Sequence, residues 1–144
     1  MENAYFKRVK AQTPTKFWIN NVTRKEAQLA IDQGACGCTQ NPAYTWKMMN
    51  SEEEKGYVLE KLRKIMAQEK DDNRALVRLQ RELIGEIGRV FRQVYDATRG
   101  QFGYVSIQGD PFREDRESIL EFARFHREAG ENLMCKIPVV PGGL

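Results

Sequence analysis

Apolar positions along this chain follow two alternating rhythms. Residues 16–20, Lys-Phe-Trp-Ile-Asn, form a short β-rich run after the turn signal at Pro14, and residues 35–39 form a second that Pro42 stops. Between them, Thr23-Arg24-Lys25-Glu26 has capping-box spacing, with a threonine and a glutamate three residues on placed to cap each other's backbone amides. The helix it opens runs through Leu29, Ala30 and Ile31 and closes at Gly34. Ser51-Glu52-Glu53-Glu54 repeats the box, and Val58, Leu62, Ile65 and Met66 then line one face. After a polar break at residues 70–73, Leu76, Leu79, Leu83, Ile87, Val90 and Val94 step by three and four along a long helix ended by Gly100. Gly85 and Gly88 lie inside it at a cost of about 1 kcal/mol each against alanine, which points to close helix packing. Tyr104-Val105-Ser106-Ile107-Gln108 alternates like a strand. Gly109-Asp110-Pro111 turns the chain into a helix from Glu114 to Ala129, capped by Gly130. Residues 133–138 form a last strand, and residues 141–144 a turn.

The predicted order is β-α-β-αα-β-α-β, which implies an α/β fold of parallel strands with right-handed helical crossovers. At 144 residues, with no internal repeat or linker, residues 1–144 read as a single domain with a real core. Hydrophobic residues are 41% and charged residues 30%, an ordinary soluble composition. No apolar run approaches the roughly 18 residues a membrane span requires. Residues 1–5 lack the apolar core of a signal peptide, so the cytoplasm is the expected location. The net charge of +3 is small and mixed. Arg78, Arg81, Arg89 and Arg92 share a helix with Glu82 and Glu86 and read as a solvated face, so neither nucleic acid nor membrane is an expected partner. Cys36 and Cys38 are one residue apart, which fits no common zinc spacing, and Cys135 stands alone; all three read as buried thiols, with no metal expected.

In a parallel sheet the chemistry gathers at the C-terminal strand ends. Here those ends turn polar: Asn20-Asn21 on the first strand, Thr39-Gln40-Asn41 on the second, Ser106 and Gln108 on the third, Lys136 on the fourth. Such a rim suits a pattern of sugar hydroxyls, or else it satisfies loop backbones. Lys136 stands out within an apolar strand, sharing its parity with Met134 and Pro138. On an interior face, burial would lower its pKa and leave an amine able to attack a carbonyl; on an exposed edge strand it would instead discourage aggregation. His126, one turn before Gly130, reads as a partner of the helix terminus. Phe17, Trp18, Phe122 and Phe125 read as packing, with Trp18 on a strand buried on both sides.

Three segments also resemble a known family. Gly37-Cys38-Thr39-Gln40-Asn41-Pro42 resembles the G-x-T-[TS]-N-P segment of transaldolases and fructose-6-phosphate aldolases. Residues 104–108 resemble their V-S-x-E strand, and residues 132–140 their I-x-x-K-[IVL]-P-x-T strand, lysine included. The resemblance implies a (β/α)₈ barrel of the TIM type, of which this chain carries about the first four strands with an extra helical pair between the second and third. It implies sugar-phosphate chemistry on a dihydroxyacetone unit through a Lys136 Schiff base, without metal or organic cofactor. Asn41 would bind a sugar hydroxyl, and Thr39 would line the same pocket. Gln108 stands where many transaldolases have a water-positioning glutamate and the aldolase branch has glutamine.

Two residues depart from the pattern. Asn20 replaces the aspartate that shuttles protons, and an amide cannot serve as a general acid or base. Val140 replaces a threonine at the water site. Asp110 is the nearest spare carboxylate. Four strands cannot close a barrel. The chain thus reads as a truncated piece, a half-barrel completed by another copy, or an open sandwich capped by the helices between residues 51 and 100. A homo-oligomer is expected. The competing function is a catalytically impaired relative that binds a sugar phosphate or a protein partner.

Overall fold

The computed structural model describes residues 5–144; residues 1–4, most of the stretch read as lacking a leader, lie outside the described residues. In chain order it contains α1 (Tyr5–Gln12), β1 (Trp18–Asn20), α2 (Arg24–Asp32), β2 (Gly37–Thr39), α3 (Ala43–Asn50), α4 (Lys55–Met66), α5 (Asp72–Ala97), β3 (Tyr104–Gln108), α6 (Arg116–Arg127), β4 (Leu133–Lys136) and a closing 3₁₀ turn, Pro141–Gly143. All four strands are parallel in one sheet of order β1-β2-β3-β4. The α/β class therefore holds, and the open sheet with its helical crossovers is consistent with part of a TIM-type barrel. Strands one, two and four are shorter than predicted, and two helices, α1 and α3, had no counterpart in the predicted order.

Local chemistry accounts for where the helices begin. The Thr23 box forms as predicted: the Thr23 hydroxyl accepts from the Glu26 amide at 3.2 Å, and Glu26 accepts from the Thr23 amide at 2.8 Å. Its counterpart at Ser51 does not form. α4 starts from Glu54 with no side-chain cap, because the Glu54 carboxylate is taken by Arg24 at 2.8 Å. Arg24 lies over the Tyr57 ring, and Tyr57 donates to Glu86, so an ionic knot ties α2, α4 and α5 together. Asp71 and Asp115 cap α5 and α6 by accepting from the Arg74 and Ser118 amides.

The register sorts side chains into two faces, since residues paired across strands share one side of a sheet. Ile19, Cys38, Val105, Ile107, Leu133 and Cys135 point one way. Most of them enter the core beneath the helices, beside Leu79, Leu83, Ile84, Ile87 and Phe91 of α5. Gly88 lets α5 approach β4, where an added Cβ would meet the Leu133 side chain at 2.8 Å. Gly85 faces open space and has no such role, contrary to the packing expected of both glycines. Asn132 locks the same seam by donating to the carbonyls of Gly88 and Gly103 at 2.8 and 2.9 Å.

Trp18, Asn20, Gly37, Thr39, Tyr104, Ser106, Gln108, Met134 and Lys136 occupy the other face. Trp18 lies over Gly37 and is 38% exposed, so β1 is not buried on both sides as expected. Nor do the helices between residues 51 and 100 cap this face, because α5 packs on the opposite side of β3. α1 instead lies beneath the N-terminal strand ends, with Phe6 stacked on Phe17 at 4.2 Å and Lys10 over Phe102.

The remaining expectations divide. Cys36 and Cys38 are buried free thiols, and burial pushes the Cys38 thiol up to about 12; Cys135 is half-buried. The arginine face of α5 is laced with carboxylates: Arg81 with Glu128, Arg89 with Glu86, Arg92 with Asp96 and Glu131. His126 does not partner the helix end. It is fully buried on the inward face of α6, and neither ring nitrogen has a hydrogen-bond partner among the described residues. Burial, reinforced by Arg81, lowers its pKa to about 4.

Candidate active site

At the C-terminal ends of the strands, the uncovered face presents its polar side chains in two rows. In the first, Asn20, Thr39 and Ser106 are register partners followed by Met134; in the second, Gln108 is paired with Lys136. Ser106 donates to the Thr39 hydroxyl at 2.8 Å. Lys136 is half-buried on β4, which ends the sheet, and its side chain stands on the face beside Gln108. Five of the six predicted site residues thus share one face, and the sixth, Asn41, lies in the loop two residues beyond Thr39.

That loop is held by a residue whose part composition does not disclose. Asn21 ends β1 with φ of 50°, a left-handed conformation that asparagine tolerates better than most residues. Its amide donates to the Thr39 carbonyl at 3.0 Å, its side-chain oxygen accepts from the Asn41 amide at 3.1 Å, and its carbonyl accepts from Lys47 of α3 at 2.9 Å. The ends of β1 and β2 are fastened together, with Asn41 between them. The Asn41 side-chain oxygen is buried with no hydrogen-bond partner among the described residues. Gln40 is turned inward, donating to the Val22 carbonyl at 3.3 Å. Asn21 was expected on the polar rim, but its part in tying the two strand ends together was not foreseen, and Lys47 was not singled out at all.

The loops after β3 and β4 close on one another. Gly142 in the closing turn lies against the Glu114 carbonyl, so near that an added Cβ would overlap it. Val140, standing where the motif has threonine, is half-buried and its carbonyl accepts from the Gly143 amide at 2.8 Å. Beneath these loops, against Ile119 and Phe122 of α6, is a cavity of about 10 Å³ whose walls also include Asp110, Cys135 and the strand ends at Gln108 and Lys136. A larger groove of about 560 Å³ flanks the free edge of β1, between Phe17, Ile19, Asn20, Leu29 and Lys47. No described helix is long and apolar enough to cross a membrane.

Comparison with known proteins shows which family the chain resembles. A stretch of the chain is 47% identical over 58 residues to a transaldolase of Trichodesmium erythraeum (strain IMS101), covering 38% of this chain and 15% of that protein. This chain therefore matches only a small part of that relative. The family model described as Transaldolase/Fructose-6-phosphate aldolase matches residues 17–144, from the start of β1 through β4 and the closing turn. The chain belongs to the transaldolase/fructose-6-phosphate aldolase family.

Proposed function

We propose that Lys136 condenses with the ketone of a sugar phosphate, and that the chain supplies the imine-forming part of a transaldolase-like reaction on a dihydroxyacetone unit. The observation that carries this reading is the pairing of Lys136 with Gln108, one row above Asn20, Thr39 and Ser106 on the uncovered face. The lysine amine attacks the ketone carbon and water leaves, giving an iminium that accepts the electron pair of the neighbouring carbon–carbon bond as it breaks. The unpartnered Asn41 oxygen suits a sugar hydroxyl, since a buried acceptor with no donor costs about 1–3 kcal/mol until something fills it. Thr39, Ser106 and Gln108 would line the same pocket, in the cytoplasm.

The proposed pocket needs walls beyond β4 and β1. We read the free strand edges and the groove beside β1 as the seat of further strands, supplied by a second copy of the chain. Sedimentation should then give a dimer or higher assembly; a monodisperse 16.7 kDa particle would contradict it.

Borohydride reduction in the presence of fructose 6-phosphate or dihydroxyacetone, followed by peptide mass spectrometry, tests the imine. A three-carbon adduct on Lys136 is expected. Adducts on other lysines but none on Lys136 would overturn the mechanism. The resemblance favours a second reading, a binding protein with impaired turnover, since it matches Asn20 to the family's proton-shuttling aspartate. Asn20→Asp separates the two, because recovered turnover shows an intact site and silence favours binding alone.

A further inference from the structure

We infer that α1 and the segment joining it to β1 form a docking surface for an acidic segment of another protein, at the end of the sheet opposite the candidate active site. The inference is independent of the Lys136 imine and starts from where the charge lies. Residues 1–16 hold four of the 23 basic residues and one of the 20 acidic ones, so residues 17–144 carry 19 of each and no net charge. The whole excess of +3 therefore belongs to a segment that precedes the residues matched by the family model. Elsewhere Arg24, Lys25, Lys61, Arg81, Arg89 and Arg92 each meet a carboxylate. Arg8, Lys10 and Lys16 meet none among the described residues.

The fold gathers these charges. Lys10 and Lys16 both stand over the Phe102 ring, at 5.8 and 5.6 Å from its centre. Burial pushes the Cys36 thiol up and the same two ammonium groups oppose it, so their field also reaches the residue before β2. Arg8 is exposed within the same turn of α1 as Lys10. α1 has eight residues and buries none of them. A helix that short is marginal on its own in water, and this one is held by Phe6 on Phe17 and by Lys10 on Phe102. Most of its surface is left for a partner.

The aromatic residues decide which polyanion fits. A bilayer needs an apolar helix face to enter the lipid. Phe6 is instead stacked on Phe17 at 4.2 Å and Val9 is half-buried, which leaves Tyr5 alone. A single-stranded nucleic acid needs cations spaced along a groove and open rings for its bases. Here two of the three cations converge on one ring and cover it. A short cluster of carboxylates, with an apolar neighbour for the 54% exposed Tyr5, matches what is left. The partner is a segment rich in Asp and Glu, held by charge pairing and by contact with Tyr5 while the C-terminal strand ends stay open.

The test uses the full chain and a fluorescein-labelled oligoglutamate peptide carrying one leucine, read by fluorescence anisotropy. Binding that weakens as salt rises is expected, because exposed charges are screened. Arg8→Glu, Lys10→Glu and Lys16→Glu together should weaken it at least about tenfold. Three reversals at exposed positions on and after α4, Lys55→Glu, Lys64→Glu and Lys70→Glu, should leave it within about twofold. Arg8→Glu alone covers the case in which the first triple variant does not fold, and should weaken binding several-fold. Equal losses in the two triple variants would make net charge rather than this surface the cause and overturn the inference. No binding by the unaltered chain at low salt would overturn it too. So would tighter binding to a single-stranded oligonucleotide, or to vesicles rich in phosphatidylserine, than to the peptide.

Discussion

The two faces of the sheet differ in almost everything but backbone. On the helix side Cys38, Val105, Ile107 and Leu133 are buried and apolar, and α5 lies close enough on β4 to require glycine at position 88. On the other side the same strands carry Asn20, Thr39, Gln108 and Lys136, with Trp18 and Met134 more than a third exposed. Alternation places the two sets one residue apart. Stability is concentrated on one face, so the other is free to hold groups that a packed core would exclude.

The sharpest way to break this contrast is to damage the covered face. Ile107→Ala leaves a cavity under α5 and should cost about 2–5 kcal/mol in urea denaturation. A cost below 1 kcal/mol would mean that the outer layer is not the seat of stability. His126 extends the test to pH, because its imidazole is buried uncharged on the inward face of α6. Its pKa is about 4 folded against 6.5 unfolded, so the unfolded chain binds the proton first. Stability should be full above pH 6.5 and fall by about 3 kcal/mol as pH drops through 4, as 2.5 pKa units imply. His126→Leu should flatten that slope, and a slope unchanged in the variant would assign it elsewhere.

Smaller effects refine the picture. Thr23→Ala removes a cap that forms and should cost about 1 kcal/mol, whereas Ser51→Ala removes one that does not and should cost less than half of that. Equal losses would mean that the two boxes act alike in solution. On the uncovered face, Asn20→Asp and Gln108→Glu should each change thermal stability by no more than about 0.5 kcal/mol. A large loss there would give these residues a packing role.

The same contrast explains what was legible in the sequence. α5 and α6 bury one stripe each, and burying a stripe writes a period of three and four into the chain. β3 sits at the sheet interior and alternates visibly. α1 and α3 left no such mark: α1 has no buried residue, anchoring through Phe6 on Phe17, and α3 begins after Pro42 without a side-chain cap. Ser51-Glu54 looked identical to Thr23-Glu26, and the difference lies thirty residues away, in Arg24 drawing Glu54 aside. Lys136 stood out because a lysine in an apolar strand is anomalous. Asn21 was visible as a polar strand end, but not its fastening role, because a positive φ and its three hydrogen bonds are properties of the fold rather than of composition. Asp110 was visible as a spare carboxylate, but its unpartnered oxygen and its cavity were not.

The most direct measurement is ¹³C NMR of the chain mixed with dihydroxyacetone labelled at the carbonyl carbon, beside the Lys136→Arg variant. A protein-bound carbon signal at imine or enamine shift, present in the unaltered chain and gone from the variant, is the expected result. A spectrum of free ketone and hydrate alone, or a bound signal that survives Lys136→Arg, would contradict it.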